Sequence, residues 1–191
     1  MQKFVLTSIL LASSCAIAAP VTYNIDPSHT FPSFEADHMG GLSLWRGKFN
    51  KSSGKFMLDR EAKKGWIDVV IDTTSVDFGH DKMNEHALNE DMFNVKQFPT
   101  AQFKANTINF NGDVPVSAEG ELTMLGVTKP LTLTINSFMC KMSPILKREV
   151  CGADASAQFN RKDFGMSYGE AYGFKMDVKL QIQVEGIKAA E

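Results

Sequence analysis

Alternation of apolar and polar positions dominates this chain. Phe174, Met176, Val178, Leu180, Ile182 and Val184 interleave with Lys175, Asp177, Lys179, Gln181, Gln183 and Glu185. Successive side chains of a β-strand point to opposite faces, so this segment predicts a strand with one dry and one wet face. The same period recurs at 67–71, 101–107, 118–124, 131–136 and 153–160. Turn-forming residues separate these runs at 50–54, at Asn111-Gly112-Asp113, at 126–130 and at 162–165. About eight strands with one wet face each imply an all-β, antiparallel barrel or sandwich rather than a parallel α/β sheet.

Two stretches break the pattern. Residues 80–93 are rich in Glu, Asp and Asn, and Met83, Ala87 and Met92 recur near helical spacing. A short helix is expected there, capped by Asp77 or Asp81. Residues 38–47 place Gly40, Gly41 and Gly47 around Leu42, Leu44 and Trp45, which suits a short apolar helix or lid. No internal repeat or linker is visible, so one domain, 19–191, accounts for the rest of the chain.

Residues 1–18 read as a signal peptide. Lys3 supplies the positive start, the apolar stretch follows, and Ala16-Ile17-Ala18 is a small-residue cleavage signal. Cleavage after Ala18 keeps Pro20 away from the first mature position. The apolar run is too short to span a bilayer. Lipidation of Cys15 is the weaker alternative, because Ala12-Ser13-Ser14 lacks the usual Leu of a lipoprotein box. The expected location is therefore the periplasm, and no integral membrane segment remains.

Composition then narrows the function. The chain is 43% hydrophobic and 22% charged, with 14 Phe and a net charge of −2. That is globular and rich in aromatics, without the basic patch that nucleic acid requires. Of three cysteines, Cys140 and Cys151 outlast the signal. In an export compartment they are expected to form a disulfide at the base of the loop between them.

Small residues complicate the inward faces. Ala101, Ala105, Ala118, Gly120, Ala153, Ala155 and Ala157 share them with bulky Phe, Met, Leu and Ile. Two readings stay open on pattern alone. The small residues either complement large neighbours in a filled core, or leave an apolar cavity.

Catalytic signatures are sparse. His80 and His86 stand six apart, off one helical face, and no H-E-x-x-H, G-x-S-x-G, phosphate-binding or dinucleotide motif occurs. A His and carboxylate site using Asp72, Asp77 or Glu85 at a barrel mouth remains the enzymatic alternative. A filled-barrel interaction module is the third reading. No catalytic residue, no metal site and no cofactor is assigned.

Motifs spread along the chain add a resemblance. Tyr23-x-Ile25-Asp26 leads to Ser28-His29-Thr30 and Phe34, followed by His38, Gly47-x-Phe49 and Gly54-x-Phe56. Then come 72–77 as Asp-Thr-Thr-Ser-Val-Asp, His80, His86, and 98–103 as Phe-Pro-Thr-Ala-Gln-Phe. The most specific stretch is Gly120-x-Leu122-Thr123-Met124-x-Gly126-Val127-Thr128-Lys129-Pro130-Leu131-Thr132-Leu133, and Val184-Glu185-Gly186 closes the series. In this order the chain resembles the YceI-like family of periplasmic lipid- or polyisoprenoid-binding proteins.

The resemblance implies a lipocalin-like barrel around a tunnel for the tail of a long isoprenoid or fatty amphiphile, such as a polyprenyl or quinone-type lipid. It also marks a departure. Met83-Asn84 stands where the family usually carries Arg-Asp. The expected lining is Phe31, Ile67, Val69, Ile71, Phe103, Leu122, Leu131, Leu133, Phe159, Met176, Val178, Leu180 and Ile182. Met39, Leu42, Leu44 and Trp45 are candidates for the mouth. Storage versus transport and the oligomeric state, homodimer included, stay open.

Overall fold

A computed structural model of the chain describes residues 19–190. The segment read as a signal peptide, with Cys15, lies outside the described residues. The strands are β1 (Val21–Ile25), β2 (Phe31–His38), β3 (Ser43–Phe49), β4 (Ser52–Asp59), β5 (Lys64–Asp72), β6 (Val76–Asp77), β7 (Thr100–Asn111), β8 (Val114–Met124), β9 (Val127–Met142), β10 (Glu149–Asn160) and β11 (Asp177–Lys188). One α-helix, α1, spans Asp81–Ala87.

All pairings are antiparallel, and the order β1-β4-β5-β7-β8-β9-β10-β11 closes on itself through β11–β1. β2, β3 and β6 continue β1, β4 and β5 past kinks, so the strand segments fill eight positions round a closed barrel. Closure leaves no free edge along the ring. β11 serves two neighbours on one edge: residues 178–183 pair with β2 and 186–188 with β1.

The kinks have local causes. Between β1 and β2, Asp26 accepts hydrogen bonds from Ser28 N and Ser28 Oγ, an Asx turn that Pro27 suits because it has no N–H to place. Thr30, 1% exposed, accepts from Glu185 N and donates to Glu185 O through its hydroxyl. That side chain replaces the ladder where β11 changes partners. Between β3 and β4, Asn50 N donates to Ser75 O and Lys51 N to Ser75 Oγ. The short 3-10 turn Thr73–Ser75 that supplies these acceptors is capped by Asp72, whose carboxylate accepts from Thr74 N.

Four expectations are corrected. Residues 38–47 form neither helix nor lid; they are the turn and flanks of the β2–β3 hairpin, with Gly40 and Gly41 at φ 70° and 105°. The helix is shorter than 80–93: it ends at Ala87, and turn hydrogen bonds such as Phe93 N to Ala87 O carry the chain onward. Its cap is His80, whose Nδ1 accepts from Met83 N, and not Asp77 or Asp81. Asp77 instead accepts from Gly79 N and from Asn84 Nδ2, which ties α1 to β6. The turn expected at 126–130 is also tighter: Leu125 and Gly126, both at positive φ, join β8 to β9, and Pro130 already lies in β9.

The Cys140–Cys151 bridge is present, between directly opposed residues of β9 and β10 with Cα atoms 4.0 Å apart. It closes a short loop, so it limits the unfolded chain only modestly. Replacing both cysteines with Ser is expected to lower stability by about 2–3 kcal/mol in denaturant unfolding. An unchanged midpoint would remove the bridge from the list of things that hold this barrel together.

Candidate functional site: an apolar cavity inside the barrel

The period of two turns one face of every strand inward, and these faces do not fill the interior. They enclose a cavity of about 510 Å³, within the range of small-molecule pockets. β5 contributes Ile67, Val69 and Ile71; β7 Ala101 and Phe103; β8 Ala118 and Leu122; β9 Leu131, Leu133 and Ile135. β10 adds Ala153, Ala155 and Phe159, and β11 adds Val178, Leu180, Ile182 and Val184. Ala101, Ala118, Ala153 and Ala155 therefore do leave space, whereas Ala105, Gly120 and Ala157 lie off the cavity. Ala118 at 0% and Ala155 at 6% exposure are enclosed, yet both border the cavity.

Of the residues expected from the sequence, Trp45, Ile67, Val69, Ile71, Phe103, Leu122, Leu131, Leu133, Phe159, Val178, Leu180 and Ile182 stand on the cavity wall. Five do not. Phe31 pairs with outward Gln183 and lies under the Lys48 ammonium, 4.8 Å from its ring centre. Phe34, which pairs with inward Leu180, takes the wall position instead. Met176 is buried, but just before β11 begins and away from the wall. Met39, Leu42 and Leu44 are exposed: Met39 and Leu42 lie in the β2–β3 turn, and Leu44 alternates with inward Trp45.

Polar groups gather at the α1 end. His38 packs against Trp45 and Phe174, ring centres 5.6 and 5.2 Å away. His86, on α1, packs against the Tyr168 ring at 4.6 Å. All five residues border the cavity, with Met83 from α1 beside them. His86 Nε2 is buried and makes no hydrogen bond; the Asp91 carboxylate is 3.7 Å away. The Asp37 carboxylate is already engaged, accepting from Lys175 N and Gly40 N, and these bonds hold its pKa below the usual carboxylate range.

Arg161 completes this end and was invisible in the sequence, where a cation beside Lys162 in a turn reads as solvated. It is 7% exposed, borders the cavity, and donates to Tyr168 O at 2.6 Å and Met166 O at 3.4 Å. Burial lowers its pKa, partly offset by Glu170. An arginine retains its charge under such shifts, so a cation borders the chamber at its polar end. The Met83-Asn84 departure also has a geometry. Met83 borders the cavity, while Asn84 accepts from Phe78 N and donates to Asp77, bracing α1 without an ion pair.

At the opposite end Tyr23 stacks on Phe56, ring centres 4.9 Å apart, and its hydroxyl donates to Glu149. Burial and that carboxylate push the Tyr23 pKa well up, so the ring backs the wall residue Phe56 as a neutral phenol. Asp26, His29 and Glu185 also lie close together, with His29 Nδ1 and Ser28 Oγ engaged by Asp26 at the β1–β2 kink.

A family model described as the YceI-like domain matches residues 23–186, nearly the whole described barrel. The chain belongs to the YceI-like family. A UPF0312 protein of Shewanella denitrificans is 33% identical over 195 residues, covering 98% of this chain and all of the relative. Among solved structures, Burkholderia cenocepacia BcnA aligns with a TM-score of 0.68 at 21% identity, over 84% of this chain and 98% of that one. A polyisoprenoid binding domain from Saccharophagus degradans, implicated in plant cell wall breakdown, aligns at TM-score 0.63 and 16% identity, over 88% and 99%. At these identities the two structures establish a shared YceI-like fold.

Proposed function

We propose that this YceI-like protein is a periplasmic binding protein that holds the apolar tail of a long isoprenoid or fatty amphiphile inside its barrel, for storage or transport. The observation that carries the reading is the cavity of about 510 Å³ with walls built almost wholly of hydrocarbon and aromatic side chains. Water gains little in such a space, whereas each buried methylene contributes about 0.8 kcal/mol. A tail needs no charged partner to bind there. The polar end orients it: the head group would lie by His86, Tyr168 and Arg161, with the tail running toward Phe138 and Val184. The polyisoprenoid-binding description of one structural neighbour supports the same ligand class. Export is supported by the pattern of residues 1–18 and by a disulfide, which persists in oxidising compartments.

A non-catalytic role suits the polar end better than the enzymatic alternative. Asp37 is engaged by backbone amides, and His38 is packed between aromatic rings. The test is mass spectrometry of protein purified from cells expressing the full chain. The organic extract is expected to hold a long-chain isoprenoid or fatty amphiphile near one per protein, and the intact polypeptide to begin at Ala19. Protein that carries no amphiphile and takes up no fluorescent fatty-acid probe would overturn the binding reading.

A further inference from the structure

The β9–β10 hairpin carries a feature that cavity binding does not use. Beyond Thr134, the last β9 residue paired with β8, the strand runs on to Met142 with only β10 beside it. The hairpin therefore projects from the barrel end opposite α1. Its turn exposes apolar side chains that a solvated loop has no reason to show: Ile145 is 87% exposed, Met142 68% and Met139 58%. Leu146 stands beside them, also exposed. Lys141, Lys147 and Arg148 are interleaved and exposed, in a protein whose net charge is −2.

The turn is also held in shape. Ser143 N donates to Arg148 O, Lys147 N to Ser143 O, and Leu146 N to Ser143 Oγ. The Cys140–Cys151 bridge clasps the base. A braced apolar tip ringed by cations has the chemistry of an interfacial anchor: side chains enter the acyl boundary while Lys and Arg meet anionic head groups. We propose that this hairpin tip docks the barrel on an anionic phospholipid bilayer. The occupant is a lipid surface because the local charge is cationic against an acidic whole. The base of the same hairpin, through Phe138 and Cys151, borders the cavity, so docking sets one end of the barrel against the bilayer. The inference goes beyond the tail-binding reading and does not depend on it.

The experiment is co-sedimentation of the purified protein with vesicles of phosphatidylglycerol and phosphatidylethanolamine, against pure phosphatidylcholine. Wild type is expected to partition onto the anionic vesicles and to be released by salt. Ile145→Asp is expected to weaken partition about tenfold or more. Lys141→Gln, Lys147→Gln and Arg148→Gln are each expected to weaken it about fivefold. These side chains lie off the cavity wall, so thermal midpoint and extractable lipid should match wild type, which separates docking from folding and from cargo. No partition of wild type onto anionic vesicles overturns the proposal, as does equal partition of Ile145→Asp. A concentration-dependent dimer in sedimentation velocity that Ile145→Asp dissolves, with no vesicle binding, assigns the tip to a second copy and overturns it as well.

Discussion

Ala155→Trp is expected to empty the barrel of amphiphile while leaving it folded. Ala155 lies midway along β10, between Ile135 of β9 and Ile182 of β11, and all three border the cavity. An indole there projects into space that exists, so the clashes of overpacking a solid core do not arise. It blocks the path of a linear tail instead. Excluding even four or five methylenes, at about 0.8 kcal/mol each, removes about 3–4 kcal/mol of binding. That is more than a hundredfold in affinity. The measurement is binding of a fluorescent fatty-acid probe, with the lipid content of purified protein alongside. Retained binding at wild-type strength would mean that the tail does not pass Ala155. Unfolding of the variant would mean that the interior is filled more tightly than its geometry indicates.

Gly54→Ala is expected to cost on the order of 4 kcal/mol of stability, through backbone strain and a clash that cannot relax. Gly54 sits in β4 opposite Val69, at φ 134°, a conformation that L side chains rarely adopt. A Cβ placed there would stand 2.2 Å from Asp68 O and 2.8 Å from Val69 Cα. Both are backbone atoms of the paired strand, so no side chain can swing away. Gly54 lies in the β4–β5 wall that presents Phe56, Ile67 and Val69 to the cavity. Gly79→Ala separates the two contributions, since Gly79 has φ 68° but nothing within 4 Å of a built Cβ. It is expected to lose about 1 kcal/mol, the left-handed strain alone. Denaturant unfolding of both variants checks this, and equal losses would show that the Asp68 contact is not the cause.

The motifs that carry the family resemblance include wall residues, such as Phe34, Phe103, Leu122 and Leu131, and residues that shape the barrel. Ser28-His29-Thr30 makes the β1–β2 kink, 72–77 makes the capped turn that holds the β3–β4 kink, and Gly126 makes the β8–β9 turn. Backbone geometry of this kind demands particular residues at particular places, which is why it leaves a readable trace. The cavity wall leaves a weaker one. Any residue of suitable size and polarity serves there, and only the alternation survives. β2 shows the consequence. Its inward face reads Pro32, Phe34, Ala36, His38, a mixed series in which alternation alone does not choose between the Phe31 and Phe34 rings. Only the register against β11, with Leu180 opposite Phe34 and Gln183 opposite Phe31, decides which ring points in.

Arg161 is the sharper case. Nothing near it in sequence distinguishes a buried guanidinium from a solvated one. Its burial follows from the return of the chain after Gly165, which brings the carbonyls of Met166 and Tyr168 onto it. The ring contacts His38–Phe174 and His86–Tyr168 at the same end join elements far apart along the chain.

By itself the sequence determined that strands alternate wet and dry faces, that they pair antiparallel as an all-β unit, and that Cys140 and Cys151 share a loop base. Those properties are local, set by the two-residue period, by turn chemistry and by short separation. It did not determine whether the small inward residues are matched by large ones or leave room for a ligand. Ala118, Ala153 and Ala155 face residues of strands distant in the chain, and the space between them depends on barrel circumference and stagger. Only the tertiary structure decided that question, and it left the interior open.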